Sequence, residues 1–121
     1  MTLQADTTLA HSEIKLQTTV MSPAIGIEVS GADLAADLPG SCIHELRQLL
    51  LKHKLLVFRD QQLTAEQHVR FARKFGELEV HPVFPHAPGF PELVLLGGND
   101  KEPAKENLYH SDVSWRERPS M

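Results

Sequence analysis

Residues 55–76 read LLVFRDQQLTAEQHVRFARKFG, and two periodicities meet inside them. Leu55-Leu56-Val57-Phe58 is a short, continuously apolar run, the pattern of a strand buried on both faces. Arg59-Asp60-Gln61-Gln62 leaves that strand as a polar loop, in which Arg59 and Asp60 are expected to form an ordinary ion pair. Thr64-Ala65-Glu66-Gln67 is then a capping box: the Thr64 hydroxyl can accept from the backbone three residues on, and the Gln67 side chain can reach back. Val69, Ala72 and Phe75, with His68 and Phe71 beside them, give the following helix its apolar side, and Gly76 is the expected stop. A strand that passes so directly into a capped helix excludes an all-α or all-β chain.

Outward from that stretch the same mixture continues. Upstream, Ser41 is the expected cap of a helix running to about Lys52, with Ile43, Leu46, Leu49 and Leu50 as its apolar stripe. Before it, Ile14, Leu16 and Thr18 alternate with polar residues, and so do Ile25, Ile27 and Val29; each set reads as a strand. Ser22-Pro23 separates the two, and Gly31-Ala32-Asp33-Leu34 turns the chain. Downstream, Pro82, Pro85, Pro88, Gly89 and Pro91 forbid long regular structure. Leu93-Val94-Leu95-Leu96 reads as a further buried strand. Leu108 to Trp115 reads as a last extended segment, which would set His110 and Asp112 on one side because strand side chains alternate. Residues 1–12 are polar and Thr-rich and are expected to be a flexible lead-in. No repeat or interdomain linker stands out, so residues 13–121 are expected to form one α+β domain or a piece of one.

The 121 residues are enough for a real core, and 41% hydrophobic with 23% charged residues is ordinary for a globular protein. A net charge of −4 without a Lys/Arg block argues against nucleic acid or an anionic membrane surface as partner. The single cysteine, Cys42, allows no internal disulfide and suits a reducing compartment. The first residues lack the basic and apolar regions of a secretory signal, and no apolar run approaches a membrane span, so a cytoplasmic location is expected.

The residues with chemistry to offer are few. His110 and Asp112, a neutral nitrogen donor and a carboxylate two residues apart, suit one face of a divalent iron and would supply two-thirds of a two-His-one-carboxylate triad. By itself His-x-Asp is a common pattern, and a surface pair sharing a hydrogen bond is the plainer account. His81-Pro82-Val83-Phe84-Pro85-His86 places two imidazoles in a proline-stiffened loop, where they could meet an anion or a metal or simply lie at the surface. Their spacing is not that of a structural zinc site. His44, His53 and His68 read as helix-surface or core-edge residues. Cys42 has no evident base partner and is not expected to be a nucleophile.

The order of the motifs carries more than any one of them. Val57-Phe58-Arg59-Asp60-Gln61, Phe75-Gly76-Glu77-Leu78, His81-Pro82-Val83-Phe84-Pro85-His86 and Tyr109-His110-Ser111-Asp112-Val113-Ser114 follow one another. Ile25-Gly26 and Ser30-Gly31-Ala32-Asp33-Leu34 precede them. This succession resembles the taurine dioxygenase family of Fe(II)- and alpha-ketoglutarate-dependent oxygenases from about Ile14 to Met121. The resemblance implies a double-stranded β-helix, the cupin-like jelly roll, with flanking helices. Because family members are much longer, this chain is expected to be the N-terminal portion of such a domain, truncated at its C-terminus.

The resemblance further implies that His110 and Asp112 are metal ligands, that Fe(II) and alpha-ketoglutarate are the cofactor and cosubstrate, and that a small organic, sulfonate-like or otherwise anionic molecule is hydroxylated with molecular oxygen, releasing succinate and carbon dioxide. The third ligand, a His, and the Arg that holds alpha-ketoglutarate belong to the family's C-terminal half and match no residue here. His81 matches a residue that contacts the sulfonate in taurine-type enzymes. Phe84 stands where those enzymes carry Tyr, which removes a hydrogen-bond donor and puts taurine itself in doubt. Asn107 lies near another substrate-contacting Asn, although Glu106 occupies the strictly aligned position. Tyr109 is expected to serve packing. Two other functions compete: an inactive binding or assembly module that pairs its open sheet edge with a partner or a second copy, and a zinc hydrolase built from His81, His86, His110 and Asp112.

Overall fold

A computed structural model of the protein describes residues 14–97 and 109–119. The expected lead-in over residues 1–12 lies outside the described residues. The chain divides into two compact units, Met1–Gln62 and Leu63–Met121.

The first unit is a three-stranded sheet with one helix. Strands β1 (Gln17–Val20) and β2 (Ile27–Ser30) are antiparallel, with Gln17 opposite Ser30 and Val20 opposite Ile27. Helix α1 (Gly40–His53) then leads to β3 (Leu56–Val57), which runs parallel to β2. A parallel pair needs such a crossover, since a tight turn cannot reverse the chain twice. β2 shows the alternation expected of a strand with one buried face: Ile27 and Val29 are buried, Glu28 is half-buried and Ser30 is exposed. These two residues join Ala32, Leu34, Leu38, Cys42, Ile43 and Leu46 in the unit's core, where Leu46 has no exposure at all.

Several boundaries differ from the sequence expectation. β1 lies further along than Ile14–Thr18, and all four of its residues are exposed. α1 begins before Ser41, because the Ile43 N–H already bonds the carbonyl of Pro39, the extended residue at its cap. Leu49 and Leu50 are half-buried rather than core. The run Leu55–Phe58 gives a strand of only two residues, and it is not buried on both faces: Leu55 is exposed and the other three are half-buried. Among the described residues the unit has one helix, which can cover only one face of the sheet, and β3 lies at the edge of the order β1-β2-β3. Arg59 pairs with Glu28 at 3.0 Å, not with Asp60. Asp60 lies beyond the strand with a left-handed φ of 55°, whereas the register of Glu28 opposite Val57 brings Glu28 alongside the strand's end.

Gln61, part of the expected polar loop, is a structural staple. Its Oε1 accepts from the Leu34 N–H at 2.9 Å, and its Nε2 donates to the carbonyls of Ala32 at 3.3 Å and Arg59 at 3.2 Å. One amide thereby ties the turn after β2 to the loop after β3. Gly31 in that turn is required twice over: φ is +88°, and a Cβ would sit 2.5 Å from the Lys15 carbonyl oxygen.

The second unit opens with α2 (Ala65–Arg73), whose capping box is complete. The Thr64 hydroxyl accepts from the Gln67 N–H at 3.2 Å, and the Gln67 Oε1 accepts from the Thr64 N–H at 2.8 Å. Val69 is the helix's buried residue. The helix proper ends before Gly76: Lys74, Phe75 and Gly76 each bond three residues back, in a tighter turn. Strands β4 (His86–Ala87) and β5 (Phe90–Val94) form an antiparallel hairpin with an irregular register beside Ala87. β5 thus precedes the expected Leu93–Leu96, and Leu95 and Leu96 are exposed. Arg73 holds Glu92 at 2.7 Å and so joins α2 to β5. The Glu92 backbone N–H, opposed by some desolvation and aided by Arg73, keeps the Glu92 carboxyl below its usual range.

Leu46→Ala is expected to cost about 2–5 kcal/mol, because a side chain with no exposure leaves a cavity. Thr64→Ala is expected to cost about 1 kcal/mol through loss of the cap. Urea unfolding of the three proteins checks both values and their order.

Candidate functional site

The second unit carries the residues that the sequence singled out. Residues 109–119 were expected to begin as an extended segment; instead they turn at Asp112–Trp115. Val113 takes a left-handed φ of 50°, and the Arg116 N–H closes the turn on the Val113 carbonyl at 3.0 Å. Alternation along a strand is therefore not what brings His110 and Asp112 together. The irregular backbone of residues 110–112 does it, setting His110 Nε2 3.0 Å from Asp112 Oδ1, and the turn that follows carries the pair as one body. Both side chains are open to solvent, at 64% and 86% exposure.

That spacing is chemically informative. Around a divalent metal with bonds of about 2.1 Å, two adjacent donors at a right angle lie about 3 Å apart. At 3.0 Å the two atoms also touch directly, as in the surface pair that was the plainer account, and a metal would have to replace that contact to use both. Among the described residues, no group of three or more His, Cys, Asp or Glu gathers. His81, His86, His110 and Asp112 therefore do not assemble the four-ligand zinc site considered above. His86 instead lies at the start of β4, its Nδ1 3.2 Å from the Ala87 carbonyl.

His81 and Phe84 come together in the proline-stiffened loop. Their rings lie 4.4 Å apart at 31°, and His81 Nδ1 accepts the backbone N–H groups of both Val83 and Phe84 at 3.2 Å. A nitrogen that accepts two hydrogen bonds carries no proton. The proton of the neutral ring is then on Nε2, which becomes a donor. Asn107 and Glu106 lie outside the described residues. Tyr109 is fully exposed and so does not have the packing role expected of it within this chain. Cys42 belongs to the first unit's core. Burial, with Glu45 as a smaller contribution, pushes its thiol up and leaves it unreactive. The groove beside α2 and β5, lined by Glu66, Val69, Arg70 and Phe90 among others, includes none of His81, Phe84, His110 or Asp112.

One contact had no signal in the sequence. Arg116 Nη1 is ion-paired with Glu79 Oε1, and the Arg116 guanidinium also lies 4.8 Å over the Trp115 ring. Nothing in a charge-rich segment near the chain's end indicates which distant carboxylate it will meet.

An α+β scaffold presenting a His-x-Asp pair is the class of molecule that fold and site define. The chain belongs to the taurine catabolism dioxygenase TauD, TfdA family, whose model matches residues 17–121. It is 34% identical over 102 residues to an alkylsulfatase of Acinetobacter baylyi, covering 84% of this chain and 32% of that protein. It is 30% identical over 109 residues to an alpha-ketoglutarate-dependent sulfate ester dioxygenase of Pseudomonas putida, covering 89% of this chain and 36% of that one. The crystal structure of a taurine dioxygenase from Burkholderia xenovorans matches with a TM-score of 0.60 at 43% identity, over 63% of this chain and 28% of the other. The chain thus spans about a third of the length of these curated relatives. No helix among the described residues is long and apolar enough to cross a membrane.

The hydrogen bonds at His81 lead to a direct spectroscopic expectation. In 15N-detected histidine NMR at pH 8, His81 should show the Nε2–H tautomer, with Nδ1 shifted as an acceptor. The opposite tautomer would contradict the loop geometry.

Proposed function

We propose that this chain is the N-terminal portion of an Fe(II)- and alpha-ketoglutarate-dependent dioxygenase of jelly-roll fold that hydroxylates a small sulfate ester or sulfonate. The observation that carries the reading is the 3.0 Å spacing of His110 Nε2 and Asp112 Oδ1 within a chain of this family. These two residues would hold Fe(II), with a third ligand and the Arg for alpha-ketoglutarate supplied from outside the described residues. The bound metal and alpha-ketoglutarate supply oxidative decarboxylation, yielding succinate and carbon dioxide, and the oxidising power that hydroxylates a C–H bond with molecular oxygen.

The protein's own residues bind and orient. Asp112 would contribute negative charge that offsets the metal's, and His110 a neutral nitrogen, the two being close enough in the chain to serve one ion. His81, with its proton on Nε2, donates a hydrogen bond to an anionic oxygen of the substrate head group. Stacking on Phe84 and two backbone bonds fix its ring plane, so little ordering is left for the binding step. Phe84 offers an apolar wall and no hydroxyl, which suits the alkyl part of an ester better than a second polar group. The names of the two relatives, an alkylsulfatase and a sulfate ester dioxygenase, support the same substrate class. A soluble protein of the cytoplasm that takes small molecules, not nucleic acid or membrane, fits this chemistry.

The test is succinate released from alpha-ketoglutarate on addition of a medium-chain alkyl sulfate, with Fe(II) and ascorbate present. In the gene product that carries this chain, His110→Ala and Asp112→Ala are each expected to lower release by at least about a hundredfold. The 121-residue segment alone is expected to release little. Undiminished release in either variant overturns the proposal.

A further inference from the structure

We infer that Glu79 and Arg116 form a positioning clasp that holds the turn bearing His110 and Asp112 against the segment leading into the His81 loop. The inference rests on the metal-site reading above and adds two residues to it.

Arg116 is anchored three ways. Its Nη1 is paired with Glu79 Oε1, its guanidinium covers the Trp115 ring, and its backbone N–H closes the turn on Val113. The two charged side chains are only 33% and 32% exposed, in contrast to the open His110 and Asp112. An ion pair two-thirds removed from solvent is less screened than a fully exposed one, and a planar guanidinium held on an indole face loses little further freedom when it pairs.

The clasp also accounts for Val113. A β-branched residue with φ of 50° is unfavourable by itself and persists only where its surroundings fix it. Val113 sits between Asp112, whose carboxylate must face His110 Nε2, and the bond that Arg116 makes to its carbonyl. His110 and Asp112 both precede Val113, so releasing Arg116 and relaxing that φ leaves their mutual spacing intact but swings the pair as one body away from Glu79 and the His81 loop. Glu79 precedes His81 by two positions, so the same contact joins the proposed metal ligands to the proposed substrate donor. Neither Glu79 nor Arg116 touches a reacting atom; they act through Asp112 and His81.

The test is made on the gene product that carries this chain: Mn(II) affinity, read by loss of the free-ion electron paramagnetic resonance signal, and alkyl sulfate affinity of the Mn(II) form, read by calorimetry, with thermal unfolding measured alongside. Glu79→Gln and Arg116→Gln are each expected to weaken alkyl sulfate binding about tenfold and to leave Mn(II) binding within about threefold of the parent. Arg116→Lys, which keeps the charge and the stem over Trp115, should stay within about threefold of the parent. Lowered unfolding temperatures with unchanged alkyl sulfate affinity would make the pair a purely structural contact and overturn the inference alone. If the parent shows no Mn(II) binding, or if His110→Ala binds as the parent does, the metal-site reading falls and the clasp falls with it.

Discussion

The first unit depends on one constraint: a strand of two residues cannot hold itself. β3 exists because β2 offers it a parallel partner, and β2 can do so because Ile27 and Val29 are withdrawn from water with Cys42, Ile43 and Leu46 of α1. Backbone bonds then fix where the crossover returns. The Gly26 N–H meets the His53 carbonyl at 2.9 Å and the Ile27 N–H meets the Leu55 carbonyl at 3.0 Å, so the helix's end and the strand's start are set by the same short stretch of β2. Lys54, left-handed at the helix's C-cap and bonded back to Leu50, makes the sharp exit this requires.

The second unit relies less on apolar burial and more on directed polar contacts. Val69 is the buried hydrophobic residue there among those described, while Thr64 with Gln67, Arg73 with Glu92, and Glu79 with Arg116 fix its helix, hairpin and terminal turn. Exposed Val83, Leu96, Tyr109 and Trp115 lie in the same unit. Such a surface carries specific geometry in its loops without a large core of its own. The candidate ligands sit on one such loop, consistent with binding residues being borne by connecting segments that a scaffold positions.

Local patterns were readable in the sequence, and partner choices were not. Thr64 and Gln67 disclose a capping box because both halves of the interaction lie within four residues. β2 declares itself through alternation, since Ile27 and Val29 need only face the same way. The expected double burial of Leu55–Phe58 failed because apolar content does not say how many neighbours a strand will have. Similarly, Arg59 next to Asp60 invited a pairing that backbone direction forbids, and Glu28 became the partner through a register no local pattern contains. At the site, the residues themselves were evident, His110 and Asp112 from their types and His81 and Phe84 from the family resemblance, while the ring contact of His81 with Phe84 was not. The means of convergence was not: a strand was expected, while the donors meet across irregular backbone just before a turn with a left-handed Val113. The Glu79–Arg116 pair was invisible for the same reason as Glu28–Arg59.

The Gln61 staple has a consequence for how this protein ages. Its Nε2 faces two backbone carbonyls, so hydrolysis of that one amide to a carboxylate would turn a double donor into a pure acceptor aimed at oxygen atoms. A single spontaneous deamidation, adding one negative charge with almost no change of shape, would thereby loosen the turn after β2 from the loop after β3.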